Sequence, residues 1–592
     1  MARFAQPQPG PVGSSARPSH GGIPRSALPP PLPGASSSAP RGALGQGRWS
    51  PPQEFWCPPW RRGLGLLAGL ISLQLLAGCG PAPVQRSGAE EPLPPLPEGI
   101  ELAFNHRGAG QYRSPISGQW RQGDDLEALI LSSIDQAQQE ILVAVQELSL
   151  PRVASALVRR HQQGLRVRVV LENTYSQPWS EQHLHDLNPH QRQRLLLLRR
   201  LNQGDAVALL RRGGVQLLDA TADCSAGSGL MHHTFVVVDR RLVVTGSANF
   251  SPSCIHGDAD APQTRGNVNH LLRLRSPALA ALFAREFETL WGDGPGGRPD
   301  SRFGLGKASG PAQRVLVGAT PVEVLFAPHR RLDPNHGLLW LERQLASVRR
   351  RLDMGLFVFS AQNLADALAV LRQRGVAIRL LADPGFAHRS FSEVLDLMGV
   401  AIPDRFCALE ADNQRWQQPL QGVGIPRLAR GDKLHHKFAV LDSLSVLTGS
   451  FNWSPSAAHQ NDELLLRIDS PALARHFEAE LDRLWRGAEL GPSERLRRRQ
   501  LRHWRRCGSG RQRPASLNRD SVHTIQTSPV TPDSWAPLQR NRLTRSPLQH
   551  TQLQQPQQRP SRLRQRPQRQ RRQVLTRLRH IGSKAPAWTP SS

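Results

Sequence analysis

One string of residues occurs twice in this chain, and that duplication constrains the fold more than composition does. Residues 434 to 452 read LHHKFAVLDSLSVLTGSFN, which places His435, Lys437, Asp442, Gly449, Ser450 and Asn452 in the spacing H-x-K-x4-D-x6-G-S-x-N. Residues 231 to 249, MHHTFVVVDRRLVVTGSAN, repeat it with His232, Asp239, Gly246, Ser247 and Asn249, but with Thr234 where Lys437 stands. In each copy an apolar run, a polar turn and a second apolar run predict two short buried strands, with the polar side chains at the strand ends where a site can form. Two copies imply a duplicated half-site.

The repetition extends well beyond the motif. In the first copy strands are expected at 100–104, 141–145 and 166–171, with helices at 126–139 and 153–161. The second follows the same order, with strands at 322–326, 355–360 and 377–382 and helices at 338–350 and 364–374. Strands alternating with amphipathic helices predict a mixed or largely parallel sheet covered on both faces. RRGGVQLLDA (211–220) parallels LDLMGVAIPD (395–404), and SPALAALFAREFETLW (276–291) parallels SPALARHFEAELDRLW (470–485). The Phe, Leu and Trp stripe of the latter pair reads as core packing. A first half at 97–292 and a second at 315–487 are expected, joined by a Gly- and Pro-rich linker at 293–314.

The complete string resembles the signature of the phospholipase D superfamily. The resemblance implies an α/β fold in which two homologous α-β-α sandwich halves pack about a pseudo-twofold axis, each giving one His to a shared site. A phosphodiester is anionic and slow to hydrolyse, so its catalyst must neutralise charge, supply a nucleophile and protonate the leaving alkoxide. A neutral His can attack phosphorus and form a phosphohistidine, while a protonated one serves as general acid and then as base for water.

On that resemblance His232 and His435 are the catalytic pair, and Lys437, Ser247, Asn249, Ser450 and Asn452 hold the phosphate oxygens. Asp239 and Asp442 complete the catalytic motif by buttressing their halves. The neighbours His233 and His436 point to the opposite face of an extended segment and read as structural. The family's downstream acid falls on Glu463 in HQNDELLLRI, and its first-half equivalent is Asn269 in RGNVNHLLRL. If the acid crosses between halves, Glu463 orients His232, which favours His232 as nucleophile and His435 as general acid. Thr234 removes one phosphate-stabilising group, a loss worth roughly 10² to 10³ in rate. The resemblance implies no cofactor, and no CxxC or HxxxH spacing suggests a metal site.

The ends of the chain have a different character. Residues 1–60 are rich in Pro, Gly and Ser and are expected to be disordered. RRGLGLLAGLISLQLLAGC, 61–79, resembles a bacterial lipoprotein signal whose terminal Cys79 becomes lipidated. That implies an exported protein of the bacterial envelope, held to a membrane surface by lipid. Cys224 and Cys254 flank the first motif, and an oxidising compartment permits a bridge between them; unpaired thiols fit equally well. Of the net charge of +28, residues 491–592 carry 23 Lys or Arg against 3 acids. This Gln-, Pro- and Arg-rich tail is expected to be disordered and to attract nucleic acid or anionic lipid.

Three enzyme classes follow, and a monomer is expected for each. A lipid-anchored, metal-independent phospholipase D releasing phosphatidic acid leads. A nuclease acting on DNA or RNA by the same steps comes second, and a cardiolipin-synthase-like transferase third. Thr234 and Asn269 keep a fourth reading open, a catalytically weakened module that binds anionic lipid or nucleic acid.

Overall fold

The motif's invariant-looking spacing has a local cause, visible in the hairpins that it builds. Thr234–Val238 pairs antiparallel with Leu242–Gly246, and Lys437–Leu441 with Ser445–Gly449. Both turns need left-handed backbone at two successive residues, Asp239 and Arg240 (φ 49° and 51°) and Asp442 and Ser443 (φ 52° and 61°). Asp tolerates that region, and two such residues give the tight turn whose twist matches a hairpin. Each turn Asp then accepts from three backbone amides, those of Gln138, Gln139 and Glu140 for Asp239 and of Arg349, Arg350 and Arg351 for Asp442. The motif's Gly has a steric cause. A Cβ on Gly246 would lie 2.3 Å from the His270 carbonyl, and one on Gly449 2.3 Å from that of Leu464.

This computed structural model describes residues 92–512, apart from 109, 202–203, 221–228, 259–260, 262, 411 and 509–510. The expected leader at 1–60, the signal at 61–79 with Cys79, and most of the basic tail fall outside the described residues. So does Cys224, while Cys254 carries a free, buried thiol.

Each half is built on one mixed sheet. The first runs Ile100–Phe104, His270–Arg275, Leu242–Gly246, Thr234–Val238, Glu140–Val145, Arg166–Leu171, Gln216–Asp219, with only the last two pairings parallel. The second repeats this order from Thr320–Ala327 through Glu463–Asp469, the motif hairpin, Arg351–Leu356 and Ala377–Ala382 to Val423–Ile425. It adds Gln313–Val317 at one edge and Glu489–Leu490 at the other. Helices Leu126–Asp135, Pro151–Gln162 and Ala206–Arg212 share a buried apolar cluster with one face of the first sheet, and Gly337–Ala346 and Gln362–Gln373 do so in the second.

The opposite faces meet in one shared core. Helix Pro277–Trp291 and helix Pro471–Trp485 lie between the sheets, and their Phe residues reach across. Phe283 of the first half packs edge-on to Phe326 of the second at 5.3 Å, and Phe477 of the second to Phe104 of the first at 5.1 Å. This reciprocity is the pseudo-twofold arrangement expected from the duplication. Each fully buried Phe contributes on the order of 2 kcal/mol of transfer free energy, so the halves are held by the hydrophobic effect.

Three expectations need correction. The strand expected at 355–360 is Arg351–Leu356, because the buried Asp353 is paired with Arg351 (2.9 Å) and Arg379 (2.8 Å), which admits a charge into a central strand. The parallel between 211–220 and 395–404 fails at its end, since residues 400–403 form no strand to match Gln216–Asp219; Pro403 has no amide for a ladder, and Val423–Ile425 takes that sheet position. Nor is the tail disordered from 491, since Glu494–Cys507 is a helix and Cys507 forms a disulfide with Cys407.

Candidate active site

The two motif His residues are held by the opposite half. The His232 amide donates to the Asp462 carbonyl (2.9 Å), and the His435 amide to that of Val268 (3.0 Å). Short parallel bridges, Met231 with Asp462 and Leu434 with Val268, carry this contact. Glu172 and Asp383, each just past a parallel strand, accept from the amides of Met231 (2.7 Å) and Leu434 (3.0 Å). Burial raises both carboxyls above their usual range. Neither was singled out from the sequence, although the aligned copies end those strands alike in VVLE and LLAD.

The crossing of the supporting groups is observed on both sides. Glu463 Oε2 lies 2.8 Å from His232 Nδ1, and Asn269 Oδ1 lies 3.0 Å from His435 Nδ1, which also donates to the Ser247 carbonyl at 2.9 Å. Since each Nδ1 faces an oxygen acceptor, the proton is placed there and Nε2 is the nitrogen left for chemistry, with Lys437 Nζ 3.2 Å from that of His435. Ser450 and Ser247 brace these acceptors, donating to Glu463 (2.6 Å) and Asn269 (2.8 Å). Both serines are thus engaged with positioning groups rather than free for phosphate. Asn249 donates to Gln146 (3.0 Å), while the side-chain Oδ1 of Asn452 is buried without a partner. The equivalent of Gln146 is Phe357, which cannot serve Asn452 and instead packs 4.5 Å from the His435 ring.

The site is electrostatically lopsided. Lys437 Nζ lies 3.1 Å from His435 Nδ1 and 3.2 Å from Nε2, with the Phe357 ring beneath it at 5.3 Å. Burial lowers the Lys437 ammonium to about 7, against the raising influence of Glu463. Burial and then Lys437 push the His435 imidazole well below the usual histidine value, so it is neutral near pH 7. Thr234 is buried and offers no charge on the other side.

Asp239 and Asp442 are placed elsewhere. Both sit in the hairpin turns at the far strand ends and cap backbone amides, so they are not catalytic in the sense of touching substrate. Replacing Asp442 with Ala is expected to lower stability by about 1 to 2 kcal/mol in denaturant unfolding, with activity per folded molecule retained.

The neighbouring histidines anchor the halves. His233 bonds Glu286 (2.9 Å) and His436 bonds Glu480 (3.1 Å), at equivalent points of the two central helices. His436 also meets His270 at 3.0 Å. Among the described residues His233, Glu286 and Asp462 form one cluster whose ligand atoms lie within 4.8 Å of one another. Lys307, from the linker, supplies a cation there, contacting Glu286 and lying 2.7 Å from Asp462. Burial opposes ionisation of Glu286, but Lys307 and His233 outweigh it and hold its carboxyl at about 2. The linker therefore clasps both halves.

A cleft of about 450 Å³ opens beside His435. Tyr175, Leu197, Leu198, Pro252 and Phe357 give it apolar walls, and its Arg194 is paired with Glu147 at 2.7 Å. Helix Pro189–Leu201, an insertion in the first half, carries Arg194 and both Leu residues.

Comparison with known proteins agrees with this architecture. The mitochondrial cardiolipin hydrolase of Xenopus laevis is 30% identical over 142 residues, 24% of this chain and 58% of that protein. That of Chlamydomonas reinhardtii is 26% identical over 199 residues, 30% of this chain and 80% of its own length. The chain thus spans little more than half the length of the Xenopus relative. The crystal structure of a phosphatidylserine synthase from Haemophilus influenzae aligns over 71% of this chain and 97% of its own, with 14% identity and a TM-score of 0.44. The family model described as cardiolipin synthase, PLD-like domain, matches residues 130–291 and 341–485, one segment in each half and together just over half the chain. The protein is accordingly a two-copy member of that phospholipase D-like family.

Proposed function

We propose that the chain is a phospholipase D-type phosphodiesterase that cleaves a glycerophospholipid to phosphatidic acid and a free head alcohol. The observation that carries this is the pair of His rings, each with Nδ1 held by a group from the other half, beside the buried Lys437 that lies 3.2 Å from His435 Nε2. With Arg194 paired to Glu147, the cleft lining offers Lys433 rather than the run of cations with stacking rings that a nucleic acid strand needs, and its apolar walls suit a lipid better.

The electrostatics favour roles opposite to those expected from the motif alone. His435, neutral beside Lys437, attacks phosphorus through Nε2. The bond to the head-alcohol oxygen breaks, and the leaving oxygen takes a proton from His232, whose Nδ1 lies 2.8 Å from Glu463. His232 then accepts a proton from water, the hydroxide attacks phosphorus, and the nitrogen–phosphorus bond breaks to restore His435. Lys437, with Asn249 and Asn452, holds the non-bridging oxygens, and Ser247 and Ser450 act through Asn269 and Glu463.

The Cys407–Cys507 disulfide supports an oxidising compartment, in keeping with export and a lipid anchor at Cys79. The test mixes the purified chain with phospholipid vesicles in EDTA and follows phosphatidic acid against a His435→Ala control. Release that the variant lacks is expected. No release, with cleavage of single-stranded nucleic acid instead, would replace this reading by the nuclease, and silence in both by the binding module.

A further inference from the structure

Helix Glu494–Cys507, ERLRRRQLRHWRRC, has no part in the chemistry, yet it is firmly attached. Its inner stripe is Leu496, buried, with Arg499, Gln500, His503 and Cys507 half-buried, spacings that place them on one face. Arg499 donates to the His388 carbonyl (2.7 Å), Arg506 to that of Arg405 (2.9 Å), and the Cys407–Cys507 disulfide locks the end.

The outward surface combines two features that are seldom left exposed together. Arg495, Arg497, Arg498, Arg502 and Arg505 are exposed, and the helix's one acid, Glu494, pairs with Arg498 at 2.8 Å. Burial and then repulsion from Arg389, Arg502 and Arg495 hold the Arg499 guanidinium below its usual value, a sign of uncompensated positive charge. Within this field Leu501 and Trp504, three residues apart, are 54% and 49% exposed. At the disulfide, Phe406 is 69% exposed, with the Arg405 guanidinium 4.6 Å from its ring.

Arginine alone would suit any polyanion, but an exposed Leu, Trp and Phe gain nothing from phosphate. They gain by entering the boundary between headgroups and acyl chains, where an indole sits well and guanidinium groups meet lipid phosphates. We infer that the disulfide-clamped helix Glu494–Cys507, together with Phe406, is a docking surface for an anionic lipid bilayer. The attachment presents the helix as a preformed element, so docking orders no chain.

The full chain carrying Cys79→Ala, so that no lipid anchor contributes, is tested by co-sedimentation with vesicles of phosphatidylcholine alone, or with about 30% phosphatidylglycerol to supply the anionic surface. Binding should require the anionic lipid. The substitutions R498Q, R502Q and R505Q together should lower the partition coefficient roughly 100-fold, since each surface charge counts about fivefold. L501A with W504A should lower it by about tenfold through lost apolar insertion. These residues are exposed, so the variants should keep the parent's circular dichroism and its turnover of the soluble diester bis(4-nitrophenyl) phosphate. Unchanged partitioning of both variants overturns the proposal. Loss in the Arg variant alone overturns it also, in favour of a general polyanion surface. The readout is binding, so it stands or falls apart from the catalytic reading.

Discussion

Replacing His435 or His232 with Asn will lower turnover on the order of 10⁴- to 10⁶-fold, and only one of the two variants will still form a covalent phosphoenzyme. A 4-nitrophenyl phosphodiester separates them, because its leaving group departs without help from an acid. In His232→Asn the nucleophile His435 is intact, so a burst of nitrophenolate and a phosphoryl adduct on His435 are expected, followed by arrest for want of the base that activates water. In His435→Asn neither burst nor adduct should appear. An adduct on His232 in the His435→Asn chain would reverse the roles and restore the order suggested by the motif. The geometric basis is the asymmetry of the partners: Glu463, a carboxylate, faces His232 Nδ1, whereas His435 faces the neutral Asn269 amide and has the Lys437 ammonium beside it, which with burial disfavours a second cation there.

Anion binding should weaken as pH rises through about 7, because that is where burial places Lys437. A lysine is charged below its pKa, so the single ammonium is present in acid and lost in alkali. Diethyl phosphate is a suitable probe, being a monoanion throughout. As a competitive inhibitor of the free enzyme it should bind progressively more weakly above pH 7, by up to about tenfold per pH unit. Lys437→Met should bind it weakly and without the step that Lys437 gives near pH 7, with turnover lowered roughly 10²- to 10³-fold. A probe affinity that stays flat in the parent across this range would show that Lys437 keeps its proton. With Thr234 in the other motif, no second ammonium from that position masks the transition.

The motif residues announced themselves through spacing, yet spacing did not sort them by task. Asp239 and Asp442 recur as faithfully as the histidines, and the reason is a left-handed hairpin turn with three amides to cap. Gly246 and Gly449 recur because a carbonyl of the neighbouring strand leaves no room for a Cβ. Ser247 and Ser450 recur to brace the groups that orient the histidines. Glu172, Asp383 and Lys307 act at the same site without belonging to any short pattern, since each is brought there by a strand end or a linker distant in sequence.

The duplication, the alternation of strands and helices, and the two His residues were determined by the sequence alone, because apolar periodicity and repeated spacing are local properties of the chain. The crossing of Glu463 and Asn269 between halves, the neutral state of His435, the linker clasp and the Cys407–Cys507 clamp were decided only by the tertiary structure. Each of these depends on burial or on contact between residues far apart in the chain, and a low-dielectric interior exists only once both halves have closed on their shared core.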